Sequence, residues 1–164
     1  GGEKRRVGDA LGLSIVAVTP GTCCGCAGPT LITPHTGEMK RVFPAGERSR
    51  AETAAAFCDR YPATLLLKGS RTIVGERKRP QSFNTTGNPG MATGGMGDVL
   101  TGVCAALIGQ GLSPYDAARI GAWVCGRAAE IAIFNGNASQ ESLLPQDVIN
   151  NLGAAFNDLR SATR

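Results

Sequence analysis

A chain of 164 residues that is 42% hydrophobic and 18% charged has the size and composition of a globular domain, which excludes an intrinsically disordered protein. The net charge of +4 is modest and the basic residues cluster only at 4–6 and 77–79, which argues against a nucleic-acid-binding stripe. Since no apolar run approaches the roughly 20 residues of a membrane span and the N-terminus lacks the apolar core of a signal peptide, we expect a cytoplasmic protein without nucleic-acid or membrane partners.

The first third of the chain predicts one strand and two helices. The apolar run at 13–18 fits either a strand or a helix fragment. TLIT at 30–33 predicts a strand, 35–38 predicts a turn, and 39–43 has a helical pattern. The charged, alanine-rich segment 46–61 predicts a surface helix. Its expected inner face consists of Ala51, Ala54, Ala55, Phe57 and Cys58.

Three of the six cysteines form a cluster within four residues. A zinc site would need a second closely spaced ligand pair, which the other cysteines do not supply. We therefore predict reduced thiols in a loop for the cluster, and core positions for Cys104 and Cys125, which lie within helical apolar patterns. The cluster consists of Cys23, Cys24 and Cys26.

The middle of the chain predicts a β-hairpin. The apolar segment 64–67 and the segment 72–75 predict two short strands. The polar sequence at 76–81 predicts the hairpin turn, and 82–85 leads back toward a glycine-rich segment at 83–102.

The second half predicts three helices. A helical pattern at 99–108 ends at glycines, a second helix begins at 113–116, and 145–159 predicts a last amphipathic helix. We expect the first two to form a helical hairpin buried on both sides. One face of its second helix carries Ile120, Val124, Ile131 and Phe134, and a flatter face carries Ala117, Gly121 and Ala128. Alternating strands and helices predict a layered α/β fold.

The glycine-rich segment 83–102 has the composition of a loop that binds an anion. Glycines allow close approach of the backbone to a ligand, and the following helix start adds free N–H donors and a partial positive charge. A phosphate is the ligand that such a turn suits best.

Four motifs carry a resemblance to a known family: LITPHTGEMKRVF, TLLLKGSRTIV, NTTGNPGMATGGMGDVLTG and GLSPYDAARIGAWVCGRAAE. In this order and spacing they closely resemble the ribokinase-like ADP/ATP-dependent NAD(P)H-hydrate dehydratase family over about 30–152. The resemblance implies that 1–164 is a single, partial ribokinase-like domain. The family's N-terminal glycine-rich segment and several of its parallel strands have no recognisable counterpart before Thr30, so we expect an open sheet edge that a partner region or a homo-oligomer would cover.

The resemblance also implies a reaction and its residues. The family uses ADP, or ATP, to drive the elimination of water from hydrated NAD(P)H, and Mg²⁺ is the expected metal although no carboxylate pair identifies a metal site. Asp98 would be the catalytic base, since a carboxylate within reach of a hydroxyl accepts its proton. The implied coenzyme site consists of His35 and Asp98. The implied nucleotide site consists of Lys68, Gly69, Ser70, Arg71, Thr72 and Gly97, and the backbone donors of Gly95, Met96 and Gly97 would face the transferring phosphoryl group.

Two other functions remain open at this point. A small-molecule kinase of the ribokinase superfamily would share Asp98 and the glycine turn. A non-catalytic remnant would bind adenine nucleotide or only self-associate. Individually, Asp98 also fits a helix cap, His35 a structural hydrogen-bonding residue and Lys68 a solvated lysine at a strand end.

Overall fold

The computed structural model describes residues 6–8, 30–136 and 138–162. The apolar run at 13–18 and the cysteine cluster at 23–26 lie outside the described residues. Within them, none of the helices combines the length and the apolar character that crossing a bilayer requires.

A mixed five-stranded sheet forms the centre of the molecule. Its strands are β1 (Arg6–Gly8), β2 (Thr30–Ile32), β3 (Thr64–Leu67), β4 (Ile73–Gly75) and β5 (Ser82–Phe83). They lie side by side in chain order; β1, β2 and β3 are parallel, and β4 and β5 continue the sheet in antiparallel pairing. The carboxyl ends of β2 and β3 therefore lie at the same end of the sheet as the start of β4 and the end of β5.

The strand predictions are largely confirmed. β3 has the predicted bounds, since all four of its residues are apolar or small and all are buried. β2 and β4 are each one residue shorter than the predicted 30–33 and 72–75. The polar segment 76–81 joins β4 to β5 as the predicted hairpin turn.

Two short helices cover one face of the sheet: α1 (Thr36–Val42) and α2 (Arg50–Arg60). The prediction that 35–38 is a turn is wrong, because His35 and Glu38 form a capping box that starts α1 at Thr36. Helix α2 begins four residues later than predicted, because Ser49 and Glu52 form a second capping box. Ala55 is exposed rather than on the inner face, which instead contains Thr53.

Three longer helices cover the opposite face: α3 (Met96–Gly109), α4 (Pro114–Phe134) and α5 (Pro145–Ala162). Helix α3 begins before the predicted 99–108 pattern, because Gly95 adopts a left-handed φ of 87° and serves as its N-cap. Cys104 and Cys125 are buried in the core, as predicted. The predicted burial of Phe134 is wrong: its side chain is 87% exposed, because it is the last residue of α4 and no described element covers it.

The core is divided between the two faces of the sheet. Leu31, Leu66 and Val74 pack against α3, α4 and α5. Their neighbours along the strands point the other way, as strand geometry requires, and pack against α1 and α2. These neighbours are Ile32, Leu65, Leu67 and Ile73. The result is the layered α/β fold that the alternation of elements predicts.

Candidate functional site

The carboxyl ends of β2 and β3 bring together two of the predicted site residues. The backbone N–H of Lys68 donates to the carbonyl of Pro34 at 2.8 Å. His35 and Lys68 then form an isolated parallel bridge beyond the two strands. His35, a predicted coenzyme residue, and Lys68, the first predicted nucleotide residue, are thus adjacent at the carboxyl ends of these strands.

Glu38 connects these two side chains. Its Oε1 lies 3.2 Å from Nε2 of His35, and its Oε2 lies 3.9 Å from Nζ of Lys68. The same Oε2 accepts the His35 backbone N–H at 2.6 Å. The Glu38 side chain is only 13% exposed, so its charge is screened less than that of a surface residue. The sequence signal for this contact is the acid three residues after the histidine, which is the spacing of a capping box.

Lys68 also lies against the glycine turn that precedes α3. A Cβ on Gly97 would lie 3.2 Å from Nζ of Lys68, so glycine permits this close approach. The hydroxyl groups of Thr33 and Thr101 are 3.3 Å apart and join the end of β2 to α3. Sequence reasoning did not identify this threonine pair.

The start of α3 presents backbone donors and a carboxylate. The N–H of Met96 donates to the carbonyl of Thr93 at 3.4 Å, whereas those of Gly95 and Gly97 have no acceptor among the described residues. Asp98 lies in the first turn of α3, where a negative charge is favourable. Its side chain is exposed and has neither a hydrogen bond nor an ion pair within the described ranges.

The loop after β3 contains the remaining predicted nucleotide residues. Gly69 has a φ of 145° and Arg71 has a φ of 53°, so the backbone turns sharply at both. The hydroxyl of Thr72 donates to the carbonyl of Gly69 at 3.3 Å. The N–H of Asn84 donates to the carbonyl of Thr72 at 2.8 Å, which links this loop directly to the glycine-rich segment.

Helix α4 holds the first part of the glycine-rich segment in place. The Asn84 amide donates to the carbonyl of Ala122 at 3.2 Å, and the Thr86 hydroxyl donates to that of Trp123 at 2.8 Å. Oε1 of Glu130 accepts the N–H of Gly87 at 2.8 Å. These contacts, which sequence reasoning did not find, fix the approach of the segment to the turn at α3.

A cleft of about 310 Å³ lies between β5, α4 and α5. Asn84 borders both this cleft and the loop after β3. None of the predicted catalytic, coenzyme or nucleotide residues lines the cleft. The predicted site residues therefore lie outside this cleft, and His35 and Lys68 are at the carboxyl ends of β2 and β3.

A family model described as NAD(P)H-hydrate dehydratase matches residues 3–152 of the chain. The match begins well before Thr30, the start of the segment on which the sequence resemblance rests. It also includes β1.

Two curated relatives are bifunctional NAD(P)H-hydrate repair enzymes. That of Moorella thermoacetica is 44% identical over 128 residues, which cover 76% of this chain and 24% of the relative. That of Thermofilum pendens is 36% identical over 162 residues, which cover 96% of this chain and 30% of the relative. The chain thus spans less than a third of either relative.

Solved structures agree with these relatives. The ADP/ATP-dependent NAD(P)H-hydrate dehydratase of Bacillus subtilis, co-crystallized with ATP and Mg²⁺, superposes with a TM-score of 0.82 at 27% identity, over 95% of this chain and 55% of that one. A ribokinase-like superfamily protein of Enterococcus faecalis, at 24% identity and a TM-score of 0.74, shares the fold over 93% of this chain and 52% of that one. The chain belongs to the NAD(P)H-hydrate dehydratase family and has a ribokinase-like fold.

Proposed function

We propose that this chain binds ADP and hydrated NAD(P)H at the carboxyl ends of β2 and β3, beside the start of α3, and dehydrates the coenzyme. One observation carries the proposal: Nζ of Lys68 lies close to both the Glu38 carboxylate and the Gly97 turn. The motif proposed for the coenzyme and the two motifs proposed for the nucleotide therefore meet at one place. Phosphoryl transfer needs this proximity, because the hydroxyl and the phosphate must be held side by side.

In the proposed reaction, Asp98 takes the proton from the hydroxyl of the hydrated ring. The hydroxyl oxygen forms a bond to the terminal phosphorus of ADP, and AMP leaves. Phosphate then leaves with the electrons of the carbon–oxygen bond, and loss of a ring proton restores the double bond. Exposure of Asp98 and the lack of a partner among the described residues leave its carboxylate available as a base. His35 would contact the coenzyme beside it.

The nucleotide phosphates would bind between two sets of donors. Lys68 supplies the positive charge, and the loop through Gly69, Ser70, Arg71 and Thr72 supplies one set. The backbone N–H groups of Gly95 and Gly97, which lack acceptors in the described part of the chain, supply the other. The N–H of Met96 would contribute only if it left the carbonyl of Thr93, to which it now donates.

Mg²⁺ fits this arrangement as an ion held mainly by phosphate. No group of three or more potential metal ligands occurs among the described residues. Mg²⁺ commonly binds through one or two carboxylates together with substrate phosphates and water. Asp98 in the first turn of α3 and Glu38 beside Lys68 are the carboxylates that would hold the ion, which would neutralise phosphate charge there.

We further propose ADP as the phosphoryl donor, with ATP as the alternative, and a cytoplasmic location without nucleic-acid or membrane partners. In the described sheet β1 is an edge strand. A homo-oligomer or a further region would cover β1 and complete the coenzyme site. A further region is consistent with the coverage of the Bacillus subtilis dehydratase, of which the chain spans 55%.

The test is recovery of the reduced-nicotinamide absorbance when the purified chain is mixed with hydrated NADH, ADP and Mg²⁺. We expect recovery in the wild type, and loss of at least about 10²-fold in Asp98→Asn with ADP binding retained. Asp59→Asn, an exposed aspartate in α2, is the matched control and should behave as the wild type. Undiminished activity of Asp98→Asn would contradict the role of this residue.

Two other outcomes would replace the proposal. Phosphorylation of a hydroxymethyl heterocycle without dehydration would indicate a small-molecule kinase. Thermal stabilisation by AMP or ADP with no turnover of either substrate would indicate a nucleotide-binding remnant.

A further inference from the structure

Arg50, the first residue of α2, reaches from one layer of the fold to the loop after β3. Its Nη1 donates to the carbonyl of Ser70 at 2.6 Å, and its Nη2 donates to those of Leu67 and Lys68 at 3.2 and 3.3 Å. A Cβ on Gly69 would lie 2.8 Å from Nη2. The guanidinium thus lies directly against the backbone here and contacts the carbonyl of Leu67 at the end of β3 and those of Lys68 and Ser70 in the loop.

Peptide geometry gives these contacts a consequence on the opposite side of the loop. The described chain contains no cis peptide bond, and in a trans peptide the C=O and N–H groups point in opposite directions. Because the carbonyls of Lys68 and Ser70 point at Arg50, the N–H groups of Gly69 and Arg71 point away from it. Neither N–H has an acceptor among the described residues, and both residues are exposed.

The position of Arg50 is not explained by its own helix. A positive charge in the first turn of a helix is unfavourable, because the backbone there carries a partial positive charge. Helix α2 is already capped by Ser49 and Glu52. The Nε atom of Arg50 is buried without a partner in the described part of the molecule, so the side chain also bears a cost of burial. The loop carbonyls are the groups that this side chain serves.

We propose that Arg50 is a positioning residue, which orients the loop so that the N–H groups of Gly69 and Arg71 donate to a nucleotide phosphate. Arg50 itself does not contact the nucleotide. Both N–H groups lack an acceptor among the described residues, so they are available to a phosphate, and Lys68 precedes them directly in the chain. This role rests on the proposed function, since it requires a phosphate at the loop.

The test compares ADP with adenosine in wild type, Arg50→Met and Arg48→Met. Arg48 is exposed, lies two residues away and carries the same charge, so its variant controls for the lost charge. We expect Arg50→Met to weaken ADP binding by about tenfold relative to Arg48→Met, because the loop amides lose their orientation. Adenosine, which has no phosphate, should bind both variants equally. A general loss of structure would weaken both ligands.

A second measurement reports on the loop directly. In the wild type, ADP should slow hydrogen exchange at the amides of Gly69 and Arg71, and in Arg50→Met this protection should disappear. If Arg50→Met melts below the assay temperature, Arg50→Lys provides the test. Lysine keeps the charge but lacks the planar fork that contacts several carbonyls, so we expect about threefold weaker ADP binding.

The outcomes separate this inference from the function on which it rests. If the wild type binds ADP, and Arg50→Met binds it as tightly as Arg48→Met does, the positioning role is wrong and the proposed function stands. The same conclusion follows if Arg50→Lys matches the wild type in affinity and amide protection. If the wild type does not bind ADP, the proposed function fails at its nucleotide step and the positioning role fails with it.

Discussion

Nζ of Lys68 lies 3.9 Å from Oε2 of Glu38, and this pair joins the loop after β3 to the first turn of α1. The side chain of Lys68 is 23% exposed. Glu38 also binds His35 through both its carboxylate oxygens. Glu38 therefore has a structural role that does not depend on the lysine, whereas Lys68 has its charge directed toward the glycine turn. The two residues should respond differently to substitution.

Lys68→Met should weaken ADP binding by about tenfold or more while the melting temperature changes little, because a lost phosphate contact affects the ligand more than the fold. Lys40→Met provides the control, since Lys40 is an exposed lysine at the end of α1. Calorimetric titration at low and high salt measures the effect. Equal ADP affinities for the two variants would contradict a phosphate contact by Lys68.

Glu38→Ala should lower the free energy of unfolding by about 1 kcal/mol, because the His35 N–H loses its acceptor in the capping box. Glu38→Gln should retain most of this stability, since glutamine also serves at this position of a capping box. Urea unfolding of both variants measures the difference. A destabilisation of similar size in both would indicate that the ion pair, not the cap, stabilises α1.

Gly126→Ala should destabilise the protein by about 2 kcal/mol, because its Cβ would overlap the backbone and hydroxyl of Thr86. The matched control is Gly153→Ala in α5, where a Cβ meets open space and should stabilise the helix by about 0.5–1 kcal/mol. Urea midpoints of the two variants should therefore shift in opposite directions. A neutral Gly126→Ala would show that the glycine-rich segment moves aside without cost.

The buried thiols should make the fold sensitive to alkaline pH. Burial raises the pKa of Cys58 from its ordinary 9.0 to about 11, and those of Cys104 and Cys125 to about 12. Since these pKa values are higher in the folded state, their contribution to stability is complete below pH 9.0 and is lost as the pH rises toward 11 and 12. Because the unfolded chain loses each thiol proton first, the free energy of unfolding should fall by about 1.4 kcal/mol per thiol for each pH unit in that range.

Urea titrations at a series of alkaline pH values measure this slope, and Cys125→Ala should make it shallower. In native protein near neutral pH, iodoacetamide should leave Cys58, Cys104 and Cys125 unmodified, whereas all three should react in urea. Peptide mass spectrometry distinguishes them from the other three cysteines. Rapid labelling of Cys104 in the native state would contradict its burial.

Local chemistry explains which elements the sequence predicts well. The strand at 64–67 consists of apolar or β-branched residues between Pro62 and Lys68, so both its type and its bounds are readable. The start of α1 was missed because histidine is not one of the common N-cap residues. Phe134 continues the apolar period of α4, but periodicity does not reveal where the covering elements end.

In the site too, residues within local motifs are predictable from the sequence, and residues that depend on tertiary contacts are not. Motifs identify His35, Lys68 and the turn before Asp98, and the roles of these residues remain predictions. Arg50 has no local signal, because its three carbonyl partners lie 17 to 20 residues away and meet it only in the folded sheet. Contacts of this kind depend on tertiary structure and are not encoded in a short motif.

The sheet order follows the chain order from β1 to β5, so each strand finds its neighbour soon after it is synthesised. The helices that cover Leu31, Leu66 and Val74 come later in the chain. A nascent chain that has left the ribosome only as far as β5 would therefore expose one apolar side of these five strands. That apolar side would be accessible to chaperones during translation, and a pause before α3 would favour aggregation over folding.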